Sequence, residues 1–141
     1  MILLDTDHLT VLRFRSGERC VRLVSRMETA QGEVFGTTVI NAAEQMKGWL
    51  AAINNEKDAL QQVTGYRELA KLFDFYSGYH IASFDEASAT RFLELRQSKI
   101  RIGTNDLKIA AIALTNNALL LTANRQDFEL VPNLRFENWL E

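Results

Sequence analysis

Two unbroken apolar runs, Ile2-Leu3-Leu4 near the start and Leu119-Leu120-Leu121 near the end, constrain this chain more than any other feature. A strand with one wet face alternates apolar and polar residues. A run with no polar member reads instead as a strand of a parallel sheet covered on both faces by helices. Each run stops at polar residues, Asp5 in the first case and Thr122 with Asn124 in the second. Parallel sheets bind ligands outside the carboxyl ends of their strands, so these residues are the first candidates for a site.

The rest of the chain alternates in the way such a sheet requires. A strand over 1–5 is followed by a short helix over 7–15, stopped by Ser16-Gly17, and by a second helix to about Gly32 in which Cys20, Leu23, Val24 and Met27 recur at helical spacing. A short strand over 33–37 leads through Thr37 or Thr38, as cap, into a helix with the stripe Val39, Ala42, Ala43 and Met46; Glu44 lies off that stripe. Further along come a helix over 57–76, a strand over 80–84, and a helix capped by Asp85 and running through Arg96. Gly103-Thr104 breaks the chain, with Thr104 as the expected cap of a helix whose buried side is Leu107, Ala110, Ala111 and Leu114. Strands over 118–123 and 134–139 close the order. The expected architecture is α/β, a three-layer α/β/α sandwich with a mostly parallel central sheet and the ends of the first and fourth strands at its active edge.

Composition narrows the function. With 141 residues and 47% hydrophobic content, the chain fits one domain over 1–141 with enough apolar material for a core. Cys20 is the only cysteine, which excludes an internal disulfide and suits a reducing cytoplasm, with Cys20 itself a small core residue. Asp5 and Asp7 stand too early for a signal peptide, and no apolar run is long enough to cross a membrane, so a cytoplasmic protein without membrane partners is expected. A net charge of −2 argues against indiscriminate coating of nucleic acid. Arg13, Arg15, Arg19, Arg22 and Arg26, and again Arg96, Lys99 and Arg101, are local basic segments that form either solvated helix faces or a phosphate-contacting rim.

Asp5, Glu44, Asp106 and Asn124 are far apart in sequence, yet each adjoins a buried-looking element. Glu44 and Asp106 open helical patterns, and the other two end strands. Three carboxylates gathered at one sheet edge would form a divalent-metal site, because their oxygens are hard ligands suited to Mg²⁺ or Mn²⁺. Zinc draws on cysteine and histidine, and neither His8 nor His80 has a partner at motif spacing. Both histidines are expected at a helix surface or in a strand. Gly48 is expected to permit close helix packing, and Trp49 and Trp139 to serve either an interface or the edge of the core.

Taken together, Leu3-Leu4-Asp5-Thr6-Asp7, then Ala43-Glu44-Gln45-Met46-Lys47-Gly48, then Ile102 through Ala111 around Asp106, then Leu120-Leu121-Thr122-Ala123-Asn124, Asp127-Phe128 and the terminal 134–139 strand resemble the PIN domain. Within it, they resemble the toxin ribonucleases called virulence-associated protein C, along essentially the whole chain. The resemblance implies a Mg²⁺- or Mn²⁺-dependent endoribonuclease that leaves a 5′-phosphate and a 3′-hydroxyl. It implies Asp5, Glu44 and Asp106 as catalytic metal-binding acids and Asn124 at a fourth catalytic position that is often aspartate. Thr122 would support the site by orienting Asp5, and Asp7 would restore charge if turned inward. An RNA substrate, a small antitoxin protein over the acidic groove and a toxin homodimer are the partners implied.

The departure at Asn124 has a consequence, since an amide supplies a neutral oxygen and removes one negative charge. It keeps open a catalytically degenerate PIN-like module that binds RNA or protein. A third possibility is a haloacid-dehalogenase-type phosphatase, because Asp5-Thr6-Asp7 after an apolar strand resembles its nucleophile motif. That motif continues with threonine where this chain has Leu9, and no lysine motif follows.

Overall fold

The computed structural model describes residues 1–141. Its elements, in order, are β1 (Ile2–Leu4), α1 (Thr6–Phe14), α2 (Gly17–Thr29), β2 (Phe35–Thr38), α3 (Val39–Asn55), α4 (Ala59–Tyr76), β3 (His80–Ala82), α5 (Glu86–Gln97), α6 (Thr104–Thr115), β4 (Leu119–Leu121), α7 (Arg125–Phe128) and β5 (Phe136–Glu137). The five strands form one sheet in the order β3-β2-β1-β4-β5. Every pairing is parallel, with Ile2, Leu3 and Leu4 beside Leu119, Leu120 and Leu121. Strand order reverses between β1 and β4. Chains leave the two strands toward opposite sides there, which opens a crevice at their carboxyl ends.

The two apolar runs do what an unbroken pattern demands. Leu3 and Leu120 join the core between the sheet and α5, α6 and α7, where Leu107, Ile112 and Phe128 meet them. Ile2, Leu4 and Leu121 point the other way, into a core with Leu9, Leu23, Leu72 and Trp139. Side chains along a strand alternate between faces, so a three-residue strand serves both cores only if all three are apolar. The three-layer sandwich follows.

Helix α6 buries more than the expected stripe. Leu107 and all residues from Ile109 to Ala113 are inaccessible, whereas Leu114 is half-buried. Small alanines let α5 and the sheet approach from both sides, and an apolar helix surface is the result. Its N-cap is Gly103 rather than Thr104, and no side chain caps it. The Thr104 hydroxyl instead accepts from Arg96, whose guanidinium also binds the carbonyls of Ile100 and Ile102. Arg96 therefore braces the turn into α6 and is no free rim cation.

Several local expectations change in tertiary context. All five strands are shorter than the expected ranges, β1 and β4 being limited to their three apolar residues, and β2 ends one residue later than expected, at Thr38. Glu44 stands in the second turn of α3 and not at its start. Gly48 has open space where a Cβ would lie; the close α3–α4 approach occurs at Gly65, where an added Cβ would meet Ile53 Cγ1 at 2.5 Å. The short helix α7 was not anticipated, its four residues being too few for a periodic pattern. His8 is fully buried instead of lying at the surface of α1, and Trp139 is a core residue, whereas Trp49 is half-buried. Cys20 is buried as expected, and Asp85 caps α5 by accepting the Ser88 N–H.

The early arginines also divide. Arg13 pairs with Glu68, Arg22 donates to the Leu140 carbonyl, and Arg26 pairs with Glu137 while lying 4.7 Å from the centre of a Trp139 ring. Those three tie helices to one another or to the chain's last residues. Arg15 and Arg19 remain exposed.

Candidate active site

The site is built where the sheet order reverses. Asp5 follows β1 directly, is 9% exposed, and caps α1 by accepting the Thr6 N–H on Oδ1 at 2.9 Å. The same oxygen accepts from Asn41 Nδ2 at 2.8 Å, and Oδ2 accepts from the Thr122 hydroxyl at 2.8 Å. A carboxylate so buried must be hydrogen-bonded, and three partners from three elements hold this one in place. Burial, and then the charge of Asp7, hold the Asp5 carboxyl above its ordinary value, although the bonds from Thr122, Thr6 and Asn41 pull the other way.

Asn41 is a residue that the sequence reading missed. It is 1% exposed and in the first turn of α3, where its backbone N–H donates to the Thr38 hydroxyl and the same hydroxyl donates to Asn41 Oδ1 at 2.7 Å. Its amide nitrogen also donates to Thr6 Oγ1 at 3.1 Å. The signal was a polar residue three places after a threonine cap, the reciprocal pattern of a capping box, and it sits between apolar neighbours.

Asp7 does turn inward, but toward structure. One oxygen takes the His8 Nδ1–H and the other takes the Ala123 N–H at 2.8 Å. His8 Nε2 accepts the Trp139 backbone N–H at 3.1 Å, which places the imidazole proton on Nδ1. Burial acts to raise the Asp7 carboxyl, yet the bonds from His8 and Ala123 win and it lies below its ordinary value. Chain start, β4 end and chain end are joined through this one carboxylate.

Asp106 and Asn124 meet on the far side of the crevice. Asn124 caps α7, its oxygen accepting the Asp127 N–H at 3.4 Å, and its nitrogen donates to Asp127 Oδ2 at 3.1 Å and toward Asp106 Oδ2 at 3.5 Å. Burial, and then the charges of Asp5, Asp127, Glu44 and Asp7, push the Asp106 carboxyl up to about 6. Asp127 thereby joins the acids, through an Asn-x-x-Asp capping pattern that the sequence reading passed over. Glu44 is exposed, and acts on Asp106 through its charge.

The acids converge in field but not in contact. No group of three or more His, Cys, Asp or Glu side chains stands close enough here to hold a metal ion. The donor set nevertheless fits one in chemistry: hard oxygens, excess negative charge and carboxyls raised by burial and then by neighbouring charges are what a divalent cation relieves. Two hollows flank the acids, an open one with Glu44, Gly48 and Trp49 in its wall and a more enclosed one with Thr122, Ala123 and Arg125. A separate apolar groove, lined by Leu9, Trp49, Leu72 and Phe75, contains none of them.

Comparison with known proteins agrees with this geometry. The chain is 40% identical over 74 residues to a ribonuclease VapC2 of Rickettsia felis, covering 50% of this chain and 55% of that protein. It is 32% identical over 77 residues to a tRNA(fMet)-specific endonuclease VapC of Shigella flexneri, covering 52% of this chain and 58% of that one. The chain thus spans little more than half the length of the curated relatives it matches. Among solved structures, VapBC2 from Rickettsia felis bound to a promoter DNA fragment is similar over 99% of both chains, with a TM-score of 0.70 and 28% identity. DNA-bound VapBC from Salmonella typhimurium shares the fold, with a TM-score of 0.73, 23% identity and 99% of both chains covered. No helix is long and apolar enough to cross a membrane. A family profile for the PIN domain matches residues 2–134, and with the parallel sheet and its acidic crevice this establishes that the chain belongs to the PIN domain family.

Proposed function

We propose that this protein is a divalent-metal-dependent endoribonuclease, acting as the toxin of a toxin-antitoxin pair. The observation that carries the reading is the placement of Asp5, Glu44 and Asp106 about the reversal of a parallel sheet, where burial, and then the charges of Asp5, Asp127 and Glu44, push the Asp106 carboxyl up to about 6. The names of the Rickettsia and Shigella relatives support an RNA phosphodiester as the bond cleaved. Family membership sets the phosphatase alternative aside.

Asp5, Glu44 and Asp106 would hold Mg²⁺ or Mn²⁺ through carboxylate oxygens. When bound, such an ion activates water and neutralises charge that develops on the phosphate. The chain's own residues do the positioning: Thr122 and Asn41 orient Asp5, and Asn124 holds Asp127 while facing Asp106. A small antitoxin protein over the acidic crevice, a toxin homodimer and a cytoplasmic setting belong to the same reading.

The test is to map cut RNA ends across the cell for wild type and Asp5→Asn. Wild type should generate new 5′-phosphate ends and Asp5→Asn should not. Unchanged cleavage in Asp5→Asn, or by purified protein in EDTA, sinks the proposal. Asn124 in place of an acid sustains a second reading, a PIN module that binds RNA without cutting it; RNA binding with no Mn²⁺ binding would favour that one.

A further inference from the structure

Oxygen by oxygen, Asp5 is nearly full. A carboxylate offers about four lone-pair positions. On Oδ1 both are taken, by the Thr6 N–H at 2.9 Å and by Asn41 Nδ2 at 2.8 Å. On Oδ2 one is taken, by the Thr122 hydroxyl at 2.8 Å. A single position remains, on Oδ2.

The orientation of Asn41 is forced. A carboxylate only accepts, so the amide nitrogen must face Asp5, and the Thr38 hydroxyl secures the opposite end by donating to Asn41 Oδ1 at 2.7 Å. Both amide hydrogens are used, on Asp5 and on Thr6. The side chain is 1% exposed and therefore does not turn to water when a ligand arrives.

Resting on the reading of this crevice as a metal centre, we propose that Asn41 is a positioning residue that closes Oδ1 of Asp5 and so restricts the site to one divalent cation, met by Asp5 through Oδ2 alone. A carboxylate bridges two cations either through one open lone pair on each oxygen or through two open lone pairs on the same oxygen, and Asp5, with a single open position on Oδ2, meets neither requirement. Across the crevice, Asn124 does not compensate. Its oxygen is turned to the Asp127 N–H, and it presents its amide hydrogens to the acids. Neither residue offers what a second ion requires.

The experiment titrates Mn²⁺ into the full chain by calorimetry after EDTA treatment and dialysis. One Mn²⁺ per chain is expected for wild type. Asn41→Ala, checked for a cooperative thermal transition, should bind Mn²⁺ about 10- to 100-fold more weakly, the range typical when a group that orients a metal ligand is lost. If Asn41→Ala does not melt cooperatively, Thr38→Val removes the hydroxyl that holds the amide and should weaken Mn²⁺ binding in the same direction. A merely structural Asn41 would leave the Mn²⁺ affinity of a folded variant unchanged. Two Mn²⁺ ions of comparable affinity, or an unaltered affinity in the folded variants, overturns the inference and leaves the metal centre standing. Absence of any Mn²⁺ binding by wild type overturns both.

Discussion

The Thr122 hydroxyl donates to Asp5 Oδ2 at 2.8 Å, joining residues 117 positions apart at the ends of the two central strands. The same hydroxyl accepts the Asn124 N–H at 3.1 Å, so one oxygen registers the two banks of the crevice against each other. Position and polarity are both needed: β4 carries Thr122 to the point where sheet order reverses, and only a group that donates and accepts at once satisfies both neighbours.

Replacement by valine keeps the shape and removes that group. Thr122→Val is expected to lower stability by about 1–3 kcal/mol, because a buried carboxylate oxygen and a backbone N–H lose their partner. Under the proposed function, RNA cleavage should fall about 10- to 100-fold, the range typical when a group that orients a metal ligand is lost. Urea denaturation and a cleavage time course measure the two effects separately; full activity in Thr122→Val would remove the orienting role.

Asp7 is expected to act on stability in a pH-dependent way. Its carboxyl lies below the ordinary value of 3.8 in the fold, so the ionised form stabilises. That contribution is complete above the unfolded value and is lost as pH falls through the lower folded one. Asp7→Asn should therefore lose about 1–2 kcal/mol at neutral pH, and the gap to wild type should close below about pH 4. Denaturant midpoints across pH 2.5–7 read this directly, and a gap independent of pH would contradict it.

Asp106 carries the opposite sign. Its carboxyl is pushed up to about 6, so the fold holds its proton more tightly than the unfolded chain does. The stabilising contribution is present at acid pH and is lost as pH rises through that value. In EDTA, Asp106→Asn should be more stable than wild type near pH 8, by about 1 kcal/mol after solvent screening, and should gain nothing near pH 4. Thermal melts at the two pH values decide it.

The two helical glycines of the α3–α4 pair separate packing from propensity. Gly65→Ala would place a Cβ 2.5 Å from Ile53 Cγ1, and is expected to destabilise by about 1–3 kcal/mol. Gly48→Ala meets nothing within 4 Å and should stabilise by up to about 1 kcal/mol through helix propensity alone. Equal effects at both positions would be inconsistent with this packing.

The sequence by itself determined the layers and the candidate acids. Ile2-Leu3-Leu4 and Leu119-Leu120-Leu121 could serve two cores at once only in a covered parallel sheet, and the ordered motifs around Asp5, Glu44, Asp106 and Asn124 carried the family. These are properties of local pattern, written in periods of two and of 3.6 residues. Only the tertiary structure decided what each polar atom faces. Asn41 on Asp5, His8 between Asp7 and the Trp139 N–H, and Arg96 on the turn into α6 are side-chain contacts set by how the elements pack and turn, for which a linear pattern carries no period. Asp5 and Asp7 look alike in sequence, two places apart. Burial and partners set them apart, because a charge removed from water takes its protonation and its role from whatever hydrogen-bond donors the fold brings to it.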